Sequence, residues 1–284
     1  MPDADDRGHL FGSSDHADSA GFPWEGRRFH ENAASGDDGS ADPALLAALN
    51  AFAALNAHPS APDPAEPSGG AAAVHGPAHQ DAVIDAFRRA RLLVPLLAHA
   101  GELGETPEGH LVDKTQELSI ATVQAPDGRA VLPAFTSVQA LSAWNPQARP
   151  VPAVGPRIAL AAASEGTELV VIDATSPTEF VLRRPAVTAV ATGADWHAPW
   201  ADADVLAEFR ASIADEPSAV GVTLSPGDPA ARLAGPELVV GLGLVPGLSA
   251  DAVDGIVRRM TGRWAASALI AERVDSMTLR LRSA

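Results

Sequence analysis

The sequence predicts an α+β protein, in which a mixed sheet with covering helices precedes a smaller β-β-α-β module. Two observations predict this class: helical and strand patterns alternate from residue 81 onward, and glycine, proline and aspartate turns separate them. A third observation sets the start of the chain apart, because large apolar residues are sparse there and acidic residues are frequent.

Residues 1–80 are expected to be a mostly disordered acidic tail, since they contain 12 acidic residues and only 3 arginines. Residues 42–56 are the exception. Asp42 is suited to cap a helix and Pro43 to occupy its first turn. This short helix is interpreted either as loosely attached or as a partner-binding helix. Its apolar stripe consists of Leu45, Leu46, Leu49, Phe52 and Leu55.

Residues 81–193 are predicted to form the first module. Asp127 followed by Gly128 predicts a hairpin, because this pair tolerates the positive φ of a tight turn. Thr136 and Gln139 have the spacing of a capping box for a short helix that ends at Trp144. The elements, in order, are a helix from residue 81, strands at 92–97, 118–123 and 130–135, the short helix, a helix at 155–164, strands at 168–172 and 179–183, and a helix over 185–193.

Residues 194–216 are predicted to be a connector with a helix at 204–213, and residues 217–284 the second module. The predicted elements of this module are strands at 218–224 and 237–245, a helix at 249–266 and a closing strand at 274–281. The second module is near the lower size limit for independent folding, so we expect it to lean on the first.

Composition excludes several classes of function. The chain has no cysteine, so it forms no disulfides and no thiolate metal sites. A net charge of -16 argues against nucleic acids and anionic membranes as partners. The first residues lack a basic and apolar leader, and no apolar run is long enough to span a bilayer, so a cytoplasmic protein is expected.

No catalytic, cofactor or metal site is predicted. The histidines lack metal-ligand spacing, a serine-nucleophile elbow is missing, and the aspartates have adequate roles in turns and helix caps. The arginine pairs at 183–184 and 258–259 are interpreted as solvated charge, although they could receive a carboxylate. The sequence thus favours a non-enzymatic binding or regulatory protein. It does not identify the partner, which is either a protein or a small molecule.

Two alternatives stay open at this point. The glycine-rich turn at 241–247 follows a strand and precedes a helix, so Gly241 and Gly243 are candidates for binding a nucleotide or another anion. The competing interpretation is that these glycines allow close strand packing. In the second alternative the chain is an interaction scaffold that uses its N-terminal tail.

Five segments of the first module carry a family resemblance: LLVP at 92–95, LPAFTS at 132–137, ALSAW at 140–144, RPVP at 149–152 and FVLRR at 180–184. In this order they resemble the SseB family, enhanced serine sensitivity protein B, of the actinobacterial type. Residues 273–279 resemble the closing strand of the C-terminal module that these proteins often carry. The resemblance implies an α+β domain without an established catalytic centre and a link to serine sensitivity. The residues that carry the resemblance cluster around Phe135, Thr136 and Trp144, which we take as a candidate binding surface.

Overall fold

A computed structural model describes residues 36–57, 77–99, 103–105, 111–113 and 117–283. Residues 38–284 form one compact unit, and the expectation of disorder concerns residues that lie largely outside the described ranges. The described residues form eight helices and twelve strands in mixed and antiparallel sheets. This confirms the predicted α+β class.

The N-terminal two thirds of the unit contain five helices and nine strands. They are α1 (Pro43–Ala57), α2 (Pro77–Arg89), β1 (Arg91–His99), β2 (Leu103–Glu105), β3 (Leu111–Asp113), β4 (Glu117–Ile120), β5 (Val123–Gln124), β6 (Ala130–Ala134), α3 (Val138–Trp144), β7 (Arg149–Val154), α4 (Gly155–Ser164), β8 (Val170–Ile172), β9 (Phe180–Leu182) and α5 (Arg184–Thr192). The remainder contains α6 (Ala203–Ser212), β10 (Ala219–Pro226), β11 (Leu238–Leu244), α7 (Ala250–Ala266), α8 (Ala268–Arg273) and β12 (Met277–Ser283).

Two sheets organise the first module, with strand orders β4-β1-β7 and β5-β6-β8-β9. They meet where Leu93 and Phe135 exchange two backbone hydrogen bonds of 2.8 Å. Strands β6 and β8 run parallel and the other pairs of these sheets run antiparallel. Helices α2, α4 and α5 contribute to the main core, which also contains side chains from β1, β6, β8 and β9.

Helix α1 forms as predicted, but it is not loosely attached. Asp42 Oδ1 accepts the backbone N–H groups of Ala44 and Leu45 at 2.9 and 3.0 Å, which is the predicted cap. Leu49 is only 1 % exposed, and the ring of Phe52 meets that of Phe180 edge-on with centroids 5.0 Å apart. Leu45, Leu49 and Phe52 of the apolar stripe therefore belong to the main core, whereas Leu46 is exposed. A scaffold role for the N-terminal segment stays a prediction, without these three buried residues as its contact surface.

Three local features of the first module differ from expectation. The strand predicted at 118–123 is divided, because β4 pairs with β1 whereas β5 pairs with β6. The helix cap is Ser137, whose hydroxyl accepts the N–H of Ala140 at 3.1 Å, since the hydroxyl of Thr136 is engaged elsewhere. Strand β7 was not predicted, because Pro150 and Pro152 suit only a sheet edge.

The second module is a three-stranded sheet, β10-β11-β12, packed against one face of α7. Strands β10 and β11 are antiparallel and β11 and β12 are parallel, as a β-β-α-β unit requires. Ser249 caps α7 as predicted, by accepting the N–H of Ala252 at 3.3 Å. Helix α8 was not predicted. It begins directly after α7, where Ser267 serves as its cap.

The loop between β10 and β11, residues 227–237, joins the second module to the first. The N–H of Val181 in β9 donates to the carbonyl oxygen of Ala231 at 2.8 Å. Leu233 is buried beside Val181 in a cluster formed by side chains of the first module. Because part of this loop lies within the first module's packing, the second module leans on the first.

Candidate functional site

The predicted binding surface lies mostly inside the fold. Phe135 and Thr136 are buried, and Trp144 is partly buried. The ring centroids of Phe135 and Trp144 are 5.1 Å apart, and both rings pack in a small cluster with Leu93 and Leu141. Two of the three residues of this candidate surface are therefore buried. Binding at this place stays a prediction, with Trp144 as its most accessible member.

Thr136 is held by a buried carboxylate. Its backbone N–H and its hydroxyl both donate to Asp173, each at 2.8 Å. Asp173 directly follows β8 and has a φ of 48°, in the left-handed region. Burial raises the pKa of Asp173, and the hydrogen bonds from Thr136 oppose that shift. This pair ties the ends of the parallel strands β6 and β8 and occupies both donors of Thr136.

Gly241 and Gly243 lie within β11 and not in a turn. Both pair with β10 on one side and with β12 on the other. A Cβ at Gly241 would collide with the Thr223 hydroxyl. Glycine at this position therefore permits close packing of the strands, which agrees with the competing interpretation. The turn begins after β11 and contains Gly247, with a φ of 84°. This corrects the position of the glycine-rich turn; anion binding by the chain stays a prediction.

The arginine pair at 183–184 is not solvated. Arg183 is 6 % exposed, and its guanidinium donates to Asp228 at 2.7 Å and to Asp275 at 3.1 Å. Arg184 donates to two backbone carbonyl groups near the end of α8, at 2.7 and 2.8 Å. Both arginines therefore reach from the first module to the second. Their partners lie far along the chain, beyond the reach of a local sequence pattern.

Near Arg183 lie two buried carboxylates whose pKa values are shifted in opposite directions. Burial alone would raise the pKa of Asp275, but hydrogen bonds from Arg129 and Arg183 lower it below its usual value. Glu237 is also buried and accepts the backbone N–H of Asp275 at 2.6 Å. Burial raises the pKa of Glu237 to about 7. Asp275 is thus held as an anion, while Glu237 exchanges a proton near neutral pH.

A cleft of about 390 Å³ lies between the two modules. Its walls come from α5, the connector that follows α5, the start of α6 and the end of α8. The residues that line it are Pro185, Thr188, Ala189, Thr192, Ala194, Asp195, Trp196, His197, Asp202, Asp204, Glu272 and Arg273. None of the predicted site residues is among them.

The cleft contains four carboxylates and one guanidinium. Arg273 Nη1 donates to Asp202 Oδ2 at 2.9 Å and to Asp204 Oδ2 at 3.0 Å. Asp202 also caps α6 through its other carboxylate oxygen. Asp195 and Glu272 are exposed, and their side chains have neither a hydrogen bond nor an ion pair within the part of the chain that the structure describes. These two carboxylates are therefore available to bind a cationic group.

No group of histidine and acidic side chains in the described ranges is arranged to hold a metal ion. Among the helices that the structure describes, none combines the length and apolarity needed to cross a bilayer.

Residues 70–189 match the family model described as SseB protein N-terminal domain. The chain carries an SseB N-terminal domain. This SseB domain begins before α2 and ends within α5, and it contains all five segments on which the resemblance rests. Neither the curated proteins nor the solved structures gave a match. The resemblance of residues 273–279 to a C-terminal module stays a prediction.

The SseB domain supplies only one wall of the cleft. Its last helix, α5, contributes Pro185, Thr188 and Ala189, and the charged residues come from the chain that follows. The sequence did not reveal the cleft, because its acidic residues at 195–204 lie far along the chain from Glu272 and Arg273 and form no motif with them. One signal was available: Asp202 and Asp204 precede an apolar helical pattern, which marks a helix start.

Proposed function

We propose that the chain is a non-enzymatic binding and regulatory protein that holds a free amino acid in the cleft between α5 and α8. One observation carries the proposal: a single cleft of about 390 Å³ combines two unpartnered carboxylates with an arginine. A volume of this order accommodates a small metabolite. We also propose that the protein acts in the cytoplasm, as expected from its sequence.

The charges of the cleft suit both ends of an amino acid. Asp195 and Glu272 offer acceptors to an α-ammonium group, and charge-assisted hydrogen bonds of this kind are strong. Arg273 uses one terminal nitrogen for Asp202 and Asp204, so Nε and the other terminal nitrogen are available to a carboxylate. Four carboxylates against one arginine also disfavour a ligand that carries only negative charge.

The hydroxyl group of Thr192 supports binding in the cleft more than catalysis. Thr192 Oγ1 donates to the backbone carbonyl oxygen of Thr188, one helical turn earlier, at 2.9 Å. A nucleophilic hydroxyl needs a neighbouring base that removes its proton, and this contact does not supply one. We therefore assign the cleft to recognition and assign no catalytic residue.

The SseB domain supports an amino acid as the class of ligand. The name of the family refers to sensitivity to serine, so L-serine is the first ligand to test. A ligand in the cleft would touch α5 of the SseB domain and α8 of the second module at once. Occupancy would then stabilise the junction of the modules, which is a physical basis for regulation.

The test is a thermal unfolding series on the full chain with L-serine, other free amino acids, ethylamine and acetate at equal concentration. We expect amino acids to raise the melting temperature, ethylamine to raise it less, and acetate to leave it unchanged. In the double variant Asp195→Asn, Glu272→Gln the rise disappears, while the unliganded melting temperature is kept. A matched pair of exposed residues outside the cleft, Glu165→Gln with Glu168→Gln, should behave as the unmodified chain.

Two results would contradict the proposal. If amino acids stabilise the cleft variant as much as the unmodified chain, they bind somewhere else. If ATP raises the melting temperature and no amino acid does, the nucleotide alternative gains support and the cleft loses its assigned role.

A further inference from the structure

Strand β12 leaves one edge of the second sheet open. It pairs with β11 along its whole length, and within the described ranges no strand pairs with its other edge. Met277 and Leu281 are 38 % and 46 % exposed, although they point to the side that α7 covers elsewhere in the sheet. An open edge with exposed apolar side chains is a template for an added strand.

The two faces of β12 differ in chemistry. Leu279 packs partly into the core under α7, and Met277 and Leu281 share its face because side chains alternate along a strand. Arg280 and Arg282 lie on the opposite face, and neither side chain has a hydrogen bond or an ion pair within the described part of the chain. The strand thus carries two unneutralised cations in a protein whose net charge is -16.

The arginines disfavour a second copy of this chain as the added strand. Antiparallel pairing of two β12 strands would bring Arg280 and Arg282 of one copy near those of the other, and like charges opposite each other destabilise a sheet. An incoming strand with acidic residues at these places would instead be attracted. Apolar residues at the alternate positions would cover Met277 and Leu281.

We propose that the open edge of β12 binds an extended peptide segment in which acidic and apolar residues alternate, as a fourth strand of the second sheet. Backbone hydrogen bonds along the edge supply affinity that does not depend on sequence. Selection comes from Arg280 and Arg282 on one face and from the exposed Met277 and Leu281 on the other.

The experiment uses the full chain and a fluorescein-labelled peptide of alternating glutamate and valine, about as long as β12. Fluorescence polarisation should show saturable binding that weakens as salt is raised. In the variant Arg280→Glu, Arg282→Glu the dissociation constant should rise about tenfold, as expected for two lost ion pairs. The same variant should gain affinity for a peptide of alternating lysine and valine. Arg258→Glu, an exposed charge reversal on α7, serves as the matched control and should change neither affinity.

Hydrogen exchange separates strand addition from simple charge attraction. Peptide binding should slow exchange of amides in β12 and leave exchange in α7 unchanged. The proposal is overturned if the peptide fails to bind up to about 1 mM, a limit that corresponds to only ~4 kcal/mol. Binding without protection of β12 also overturns it, as does a solution dimer whose β12 amides are already protected.

Discussion

At the scale of single residues, Arg183 joins the two modules through several contacts. It is buried against Asp228 and Asp275, and it also donates to the carbonyl oxygen of Gly235 at 2.7 Å. Removing a buried cation leaves its carboxylate partners without compensation, which costs far more than the loss of an exposed ion pair.

Replacing Arg183 by methionine should therefore lower the free energy of unfolding by about 3–5 kcal/mol. Urea unfolding of the full chain measures this loss. Arg157→Met on α4 is the matched control, because Arg157 is exposed, and its effect should stay within about 0.5 kcal/mol. Equal effects of the two substitutions would show that the network around Arg183 does not hold the modules together.

Glu237 makes a pH-dependent contribution to stability. Its pKa is about 7 in the folded chain, compared with an ordinary value of 4.5. Between these values the folded state binds a proton that the unfolded state does not, so stability falls as the pH rises from about 4.5 to 7, by about 3 kcal/mol in all. Below this window Asp275, whose pKa is lowered, acts in the opposite direction.

Glu237→Gln should remove this slope, because glutamine keeps an acceptor for the Asp275 N–H and does not titrate. Free energies of unfolding at several pH values from about 5 to 7 give the comparison. Subtracting the variant's curve from that of the unmodified chain cancels the titration of the histidines. Parallel curves across the window would refute the assignment of the proton to Glu237.

At the scale of elements, helix α1 illustrates what a sequence pattern predicts and what it leaves open. Asp42, Pro43 and the apolar spacing predict the helix and its cap. They do not reveal that the buried residues of the stripe pack within the same chain, because the residues they contact belong to α2 and to Phe180 in β9.

Leu49→Ala in α1 should destabilise the full chain by about 2–5 kcal/mol, because it opens a cavity in the main core. Leu46→Ala is the matched control in the same helix. Leu46 is 37 % exposed, so its substitution should cost less than about 1 kcal/mol. Chemical denaturation distinguishes the two, and a negligible loss for Leu49→Ala would mean that α1 is attached only loosely after all.

Elements with local signals were predictable, and elements defined by distant partners were not. Helix α4 has the predicted bounds because Pro156 and Gly166 mark its two ends. The separation of β4 from β5 follows instead from the pairing of β4 with β1, whose partner residues lie 18 to 24 positions earlier. The cleft was even less predictable from the sequence, because Asp195 and Glu272 come to line it only after both modules have folded.

At the scale of the whole molecule, residues 38–284 should unfold as one cooperative unit. The loop at 227–237 places Leu233 among side chains of the SseB domain, so opening one module exposes apolar surface of the other. Native-state hydrogen exchange should give the slowest amides of β1 and β11 the same free energy of opening. A distinctly lower value for β11 would show that the second module opens by itself.

Isothermal titration calorimetry measures the proposed binding of a free amino acid in the cleft between the modules. Titration of L-serine and a panel of other free amino acids into the full chain should give heat that saturates at one ligand per chain for at least one of them. The same titration into the variant Asp195→Asn, Glu272→Gln should give none. Absence of heat for the whole panel, or unchanged binding to the variant, would show that the cleft does not bind a free amino acid.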